Sequence, residues 1–227
     1  MKYVISIILS LVIIVLVSVG TFSWMQKQGF FDTAVSSGDA VTYTDLSNRS
    51  EDAPESEAEP VHQLPPEAQD NRYEEFEATN GTFDRVKASS YADWQGTKGL
   101  PSWAFDADAN TTWQDGVKDS YGEGEWFLSY NADGSTRTIS SVTVYNGYQD
   151  LKYNNDAQNF YQLNSRVQDV MLEFDDGSVY VFTLQDSPEA QTFTFDEPIQ
   201  TCYVKFTVES VYQGKWSDTC LSEIVYR

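Results

Sequence analysis

Val170-Met171-Leu172-Glu173-Phe174, then Asp175-Asp176-Gly177, then Ser178-Val179-Tyr180-Val181-Phe182 is the stretch on which the fold turns. Apolar and polar residues alternate on both sides of an Asp-Gly step, which is the strongest short-range signal of a β-hairpin. A helix would instead repeat its apolar residues every three or four positions. Further short runs rich in aromatic and β-branched residues lie outward from this hairpin, at 125–130, 138–145, 167–174, 178–184, 191–196, 202–209 and 221–226. Turn signals separate them, so residues 82–227 are expected to form one all-β domain, a single two-sheet sandwich.

The chain before that domain is of a different kind. Lys2 precedes an apolar run over residues 3–24, broken only by Ser6, Ser10, Ser18, Gly20, Thr21 and Ser23. About 20 apolar residues suffice to cross a bilayer as a helix. Residues 1–26 are therefore expected to be an N-terminal transmembrane signal-anchor. The positive end at Lys2 keeps the amino terminus in the cytoplasm and places everything from Lys27 onward outside the cell membrane. Ser18-Val19-Gly20 is a small-residue cleavage site, yet the apolar run is longer than the about 7–15 residues of a cleaved signal. An uncut anchor is the reading preferred, with secretion the outcome if the segment is removed. Residues 27–81 read as a disordered acidic linker. Within it, residues 50–60 carry five acids and no base, too little apolar surface to offset the entropy of ordering, and the like charges extend the chain. His62, the only histidine, falls in this linker and reads as incidental.

The formal charge is -21. Residues 26–80 hold 13 acids against 3 bases and residues 81–227 hold 22 against 10, so linker and domain are both acidic. Phosphate backbones and anionic head groups are repelled by such a surface, and nucleic acid is set aside as a partner. Cys202 and Cys220 are too few for a disulfide framework and lack metal-ligand spacing. Standing at the starts of two strands, they would sit at opposite ends of an antiparallel pair, beyond the about 7 Å between Cα atoms that a bridge tolerates. Buried or free thiols are expected, with a bridge left open if the strands are not neighbours.

One loop concentrates oxygen. Trp103-Ala104-Phe105-Asp106-Ala107-Asp108-Ala109-Asn110-Thr111-Thr112-Trp113 places two Asp, an Asn and two Thr between indole rings. Carboxylates, hydroxyls and main-chain carbonyls at short spacing suit Ca²⁺, which takes six to eight oxygen ligands. The run lacks the pattern of an EF-hand. The alternative is an Asx-rich turn whose side chains bond their own backbone, and a distant carboxylate such as Glu223 would decide between the two.

A family likeness emerges from the order of short motifs. Ala88-Ser89-Ser90 is followed by Asp106 with Thr111 and Trp113, then by Gly122-Glu123-Gly124-Glu125-Trp126 and Asn146-Gly147-Tyr148. Asn164-Ser165-Arg166, Val211-Tyr212-Gln213-Gly214 and Asp218-Thr219-Cys220-Leu221-Ser222-Glu223-Ile224 complete the series. In this order they resemble the discoidin superfamily, the coagulation-factor (F5/8) type C domains, and within it the NADase-type glycan-binding branch. The resemblance covers residues 82–227 and implies a galactose-binding-like jelly-roll β-sandwich. The catalytic domain of the glycohydrolase that gives the branch its name has no counterpart here, so that activity is not carried over. The resemblance also implies a structural Ca²⁺ held by the side chains of Asp106 and Thr111, the carbonyls of Trp103 and Asp108, and the carboxylate of Glu223. Ala107 departs from the Asp-Gly step usual in the family, and alanine resists the left-handed backbone that glycine tolerates.

Sugar recognition on such a scaffold uses aromatic faces and a few polar donors in loops at one end of the sandwich. The candidates are Trp94, Tyr148, Tyr153, Asn164, Arg166 and Trp216. Each has a structural alternative: Arg166 pairing with an acid, Asn146-Gly147 as a turn, Trp94 and Trp216 anchoring a loop. Trp113 and Trp126 read as core. Without histidine in the domain, Ser-His and Cys-His nucleophiles and the usual zinc sites are absent. The carboxylate pairs Glu123/Glu125 and Asp175/Asp176 are better explained by strand and turn than by glycoside hydrolysis. The expectation is a non-catalytic bacterial surface module for glycan or cell-wall polysaccharide. Protein-partner binding through the same loops is the alternative.

Overall fold

The computed structural model describes residues 62–94, 97–118, 120–155 and 158–227, together with the backbone of Tyr43–Asp45. The hairpin forms as the alternation predicts. Asp169–Phe174 pairs antiparallel with Val179–Thr183, Val170 opposite Phe182 and Glu173 opposite Val179, and Gly177 turns the corner at a φ of +83°. Val170, Leu172 and Phe174 face inward, and the residues between them do not.

Two sheets close over one core. The seven-stranded sheet runs, in spatial order, Tyr43–Asp45, Val179–Thr183, Asp169–Phe174, Tyr203–Val208, Trp126–Tyr130, Arg85–Ala88 and Phe76–Glu77, with every pair antiparallel. The six-stranded sheet runs Gln191–Thr201, Arg137–Asn146, Thr219–Tyr226, Ser165–Val167 and Val211–Tyr212, with Trp113–Gln114 paired to Thr219–Tyr226. Aromatic rings knit the inner faces together. Phe182 stacks on Phe193 at 3.9 Å between centroids, Phe174 meets Phe195 edge-on at 5.5 Å, and Trp113 meets Phe127 at 4.6 Å. Trp113 is wholly buried, as expected, whereas Trp126 is only half-buried, packed edge-on to Tyr73. The described residues form an all-β sandwich.

Two strands depart from their expected form. Residues 167–174, expected as one strand, are two: Ser165–Val167 belongs to one sheet and Asp169–Phe174 to the other. The chain crosses at Gln168, whose N–H donates to the Ser210 carbonyl at 2.8 Å, while the Ser210 hydroxyl donates to Asp169 Oδ2 at 2.5 Å. The neighbouring chain crosses at the same corner, between Tyr203–Val208 and Val211–Tyr212. Such sheet-switching corners close a sandwich. Gln191–Thr201 outruns its expected end at 196, its register slipping between Thr194 and Ile199. The irregularity contains Pro198, which has no N–H to give a regular ladder.

Cys202 and Cys220 are both free and buried, one leading into each sheet. Burial pushes the Cys202 thiol up to about 12 and raises Cys220 as well.

The boundary at residue 82 is corrected. Residues 62–80 pack on the domain. Phe76–Glu77 adds a strand to Arg85–Ala88, Lys205 Nζ meets Glu67 Oε1 at 2.8 Å, and the buried Lys87 donates to the carbonyls of Ala68 at 2.8 Å and Asp70 at 3.1 Å. His62 is not incidental either, since its Nδ1 lies 2.8 Å from Asp175 Oδ2. The acids here serve as bonding partners of the sheet, which composition alone does not reveal. The anchor at residues 1–26 and the acidic stretch 50–60 lie outside the described residues. Among the described residues no helix is long and apolar enough to cross a membrane.

Candidate functional site

The oxygen-rich loop follows a 3-10 turn at Pro101–Ala104. Asp106 Oδ1 accepts the Asp108 N–H at 2.9 Å, and Asp108 Oδ1 accepts both the main-chain and side-chain N–H of Asn110 at 2.9 Å. These are the Asx bonds of the turn reading. The Thr111 hydroxyl adds something they do not explain. It lies 3.2 Å from the Trp103 carbonyl, 3.0 and 2.8 Å from the two Asp106 carboxylate oxygens and 2.8 Å from the Asp108 carbonyl. A hydroxyl carries one proton and can satisfy only one of these acceptors at a time. The other lone pairs converge, which is the arrangement a hard cation relieves.

Glu223 stands beside this loop. Its Oε2 accepts the Ala107 N–H at 3.0 Å and its Oε1 accepts the Asn80 amide at 2.9 Å. Burial pushes the Glu223 carboxyl up to about 7; the Asn80 bond opposes that and the nearby Asp106 charge reinforces it. Burial also raises Asp106, against the bond from Thr111. Ala107 takes the left-handed backbone after all, at a φ of +64°. Asn80 was missed from sequence because it fell within residues 27–81, read as linker. Among the described residues no three His, Cys, Asp or Glu side chains gather as metal ligands. Any cation here would rest on two carboxylates, a hydroxyl and carbonyls, a hard-oxygen donor set that excludes the zinc type.

The outer face of the same loop walls a cavity. Trp103, Asn110, Thr111 and Thr112 line it together with Lys98, Gln114, Tyr148, Asp150, Tyr153 and Phe160, around about 630 Å³. A second cavity of about 610 Å³ also reaches Tyr148 and is lined by Gln149, Leu151, Asn154, Asn159, Tyr161, Gln162, Arg166, Asp186 and Pro188. An aromatic cluster stands with them. Tyr153 stacks on Phe160 at 4.9 Å, Tyr148 meets both rings edge-on, and Trp216 meets Phe160 edge-on at 5.2 Å. Trp216 is 40% exposed and Leu151 75%.

The structure thus gathers three of the expected ligand residues, Tyr148, Tyr153 and Trp216, into one cluster. Asn164 and Arg166 are both bonded within the fold, and Arg166 also lines the second cavity. The buried Asn164 gives its amide to the Phe160 carbonyl at 2.9 Å. Arg166 grips Asp186 with Nε at 3.0 Å and Nη2 at 2.6 Å and gives Nη1 to the Asn164 carbonyl at 2.9 Å. Their work is to position the aromatic wall. Asn164 ties down the short helix α1 (Phe160–Leu163), whose Leu163 carbonyl accepts the Trp216 N–H at 2.7 Å, and the Ser165 hydroxyl donates to the Trp216 carbonyl at 3.0 Å. Asn146 is buried too, exchanging bonds of 2.7 and 3.0 Å with the backbone of Val167. Gly147 has a φ of +72°, and a Cβ there would lie 2.7 Å from Tyr161 and Arg166, so the chain can pass close over them only as glycine. The Trp94 side chain lies outside the described residues; its backbone pairs with Thr97.

Of the carboxylates considered for catalysis, Glu125 and Asp175 are occupied by the fold. Glu125 Oε2 accepts the hydroxyls of Ser89 at 2.6 Å and Ser90 at 2.5 Å. Asp175 Oδ2 accepts the Cys202 N–H at 2.7 Å besides meeting His62.

No curated protein matches this chain. Several solved structures are similar to it. The family 32 carbohydrate-binding module of Clostridium perfringens NanJ in complex with galactose is 18% identical, covering 62% of this chain and 90% of that one at a TM-score of 0.42. The module CBM32-3 from a family 31 glycoside hydrolase of Clostridium perfringens is 15% identical over 61% of this chain and 86% of that one, at 0.47. Chitosan-binding module 1 from a chitosanase/glucanase of Paenibacillus sp. IK-5 is 18% identical over 67% and 100%, at 0.45. The description NAD glycohydrolase translocation F5/8 type C domain matches residues 76–227, from the first strand packed on Arg85–Ala88 to the last residue, and the chain belongs to that family.

Proposed function

We propose that this protein is a non-catalytic glycan-binding module, carried outside the membrane by its N-terminal apolar segment and acidic linker. The observation that supports it is the cluster of Tyr148, Tyr153, Phe160 and Trp216, of which the first three line one cavity and Tyr148 a second as well. Sugar rings present C–H faces that pack on aromatic rings and hydroxyls that amides can read. Trp216, 40% exposed, supplies the face, and Tyr153, stacked on Phe160 with Lys152 over its ring, lines the cavity. Gln162, whose side-chain amide has no partner among the described residues, supplies a donor and an acceptor. Binding at one such site is weak, and many copies on one membrane raise the avidity.

A calcium ion at the 103–113 loop belongs to the same reading. Asp106, Thr111 and Glu223 with the carbonyls of Trp103 and Asp108 would hold it, and it would supply positive charge where lone pairs converge. Its part is structural, fixing the wall of the cavity of about 630 Å³.

A glycan array probed with the full chain tests the reading, with Tyr153→Ala and Trp216→Ala as comparisons. Sugars bound at millimolar concentration or below, and lost in both variants, are the expected result. No sugar bound would transfer the same surface, with its exposed Leu151, to a protein partner.

A further inference from the structure

Two cavities of nearly equal size, about 610 and 630 Å³, share the Tyr148 side chain. Each falls in the range of about 300–1,000 Å³ that holds one compact small-molecule ligand. A single terminal sugar would fill one and leave the other open. The connection between them is short in the chain. Asp150 and Tyr153 line one cavity, while Gln149, Leu151 and Asn154 line the other, so the turn closed by the Tyr153 N–H to the Asp150 carbonyl at 3.0 Å serves both. The short helix is shared in the same way, with Phe160 facing one and Tyr161 and Gln162 the other.

The charges around the two openings bear on the class of ligand. Each cavity has one Lys or Arg in its lining, and each is matched by an acid: Arg166 with Asp186 at 2.6 Å, Lys98 with Asp93 at 3.3 Å. Asp150 adds a carboxylate, and the chain as a whole carries -21. Lys152, a cation outside the two linings, lies over the Tyr153 ring and beside Asp150, so an anionic chain would meet a net repulsion.

Resting on the sugar-binding reading above, we infer that the ligand is an uncharged oligosaccharide long enough to lie across Tyr148 and occupy both cavities at once. Once one end is seated, the covalent link holds the other end near its own cavity at high effective concentration, so affinity rises with chain length until both are filled.

Isothermal titration of the full chain with neutral oligosaccharides, cello-, chito-, xylo- and galacto-series from mono- to hexasaccharide, tests this. The expected result is one series in which long members bind at least tenfold tighter than the disaccharide, with length-matched oligouronates at least tenfold weaker. Gln162→Ala alters one cavity and Lys98→Ala the other. Both side chains are exposed, so neither change disturbs the core. Each variant is expected to remove most of the length-dependent gain, while only one of them weakens the disaccharide. A disaccharide that binds as tightly as the hexasaccharide, a gain lost in one variant only, or oligouronates that bind as well, would each overturn the inference and leave sugar binding standing. No binding at any length would remove the sugar-binding reading itself, and this inference with it.

Discussion

Glu223 on the last strand accepts the main-chain N–H of Ala107 at 3.0 Å, across 116 positions of sequence. The bond holds the end of the sandwich to the loop that walls one cavity, and it sets a buried carboxylate beside a cluster of converging oxygens. Chelating divalent cations from the full chain is expected to lower its thermal midpoint, and added calcium to restore it. At calcium a hundredfold above its dissociation constant the gain is about 2.7 kcal/mol. Glu223→Gln keeps an oxygen for Ala107 but removes the charge, and its midpoint is expected to respond little to calcium. An unchanged midpoint of the native chain in chelator and in calcium would remove the ion from the account.

Ala107 is the only non-glycine with a positive φ among the described residues, at +64°. An L-residue there costs about 1–2 kcal/mol that glycine escapes. Glycine in turn gives the unfolded chain more freedom, worth about 0.4–1 kcal/mol. Ala107→Gly is therefore expected to stabilise the domain by about 0.5–1 kcal/mol, read as a higher urea midpoint at unchanged slope. A lower midpoint would show that the alanine methyl contributes more than its backbone costs.

Asp115 is buried, and its carboxylate accepts the N–H of Thr219 at 2.5 Å and of Val117 at 3.0 Å. Burial pushes the carboxyl up to about 6 from 3.8, with those two bonds opposing. The folded state then binds the proton more tightly than the unfolded chain. Its contribution to stability is complete below about pH 4 and is lost as pH rises through about 6, because the unfolded chain ionises first. A rise of that size bounds the effect at about 3 kcal/mol. Asp115→Asn stays neutral throughout. The stability of the native protein minus that of the variant, from urea titrations, is expected to fall between about pH 4 and pH 7. A constant difference across that range would contradict the raised value.

What could be read from the sequence was local. The hairpin at 170–182 was legible because alternation and an Asp-Gly step are properties of adjacent residues. The crossing at Gln168 was not, since Ser165–Val167 and Asp169–Phe174 continue one run of residues and differ only in which sheet receives them. Tyr148, Tyr153 and Trp216 stood out as aromatic residues among polar loop neighbours, and they do meet Phe160 in one cluster. The partners of Arg166 and Asn164 were not legible, for the converse reason. A sequence displays a donor and hides its acceptor, here Asp186 twenty positions away and the Phe160 carbonyl. Asn164-Ser165-Arg166, one of the motifs whose order carried the family likeness, serves as the frame of the aromatic wall.

The same hidden partners decide where the domain begins. Composition ends the linker at residue 81, yet Lys87 is 4% exposed and its ammonium is solvated by the carbonyls of Ala68 and Asp70. Tyr130 donates its hydroxyl to Glu75, and Tyr73 covers Trp126 edge-on at 4.8 Å. A chain that starts at Thr82 strips these contacts, and it removes the edge strand at Phe76–Glu77 as well. Leaving a charged group without its hydrogen-bond partners costs more than the about 1–3 kcal/mol of a neutral one, reduced here by the water that truncation admits. With the lost ring contact and strand, a chain starting at Thr82 is expected to be about 3–5 kcal/mol less stable than one starting at His62. The chain starting at His62 loses, of the described residues, only the edge strand Tyr43–Asp45 and is expected to fall below the full chain by about 1 kcal/mol. Urea midpoints of the three proteins decide it: if the shortest equals the one starting at His62, residues 62–80 merely rest on the sheet, and the boundary returns to Thr82.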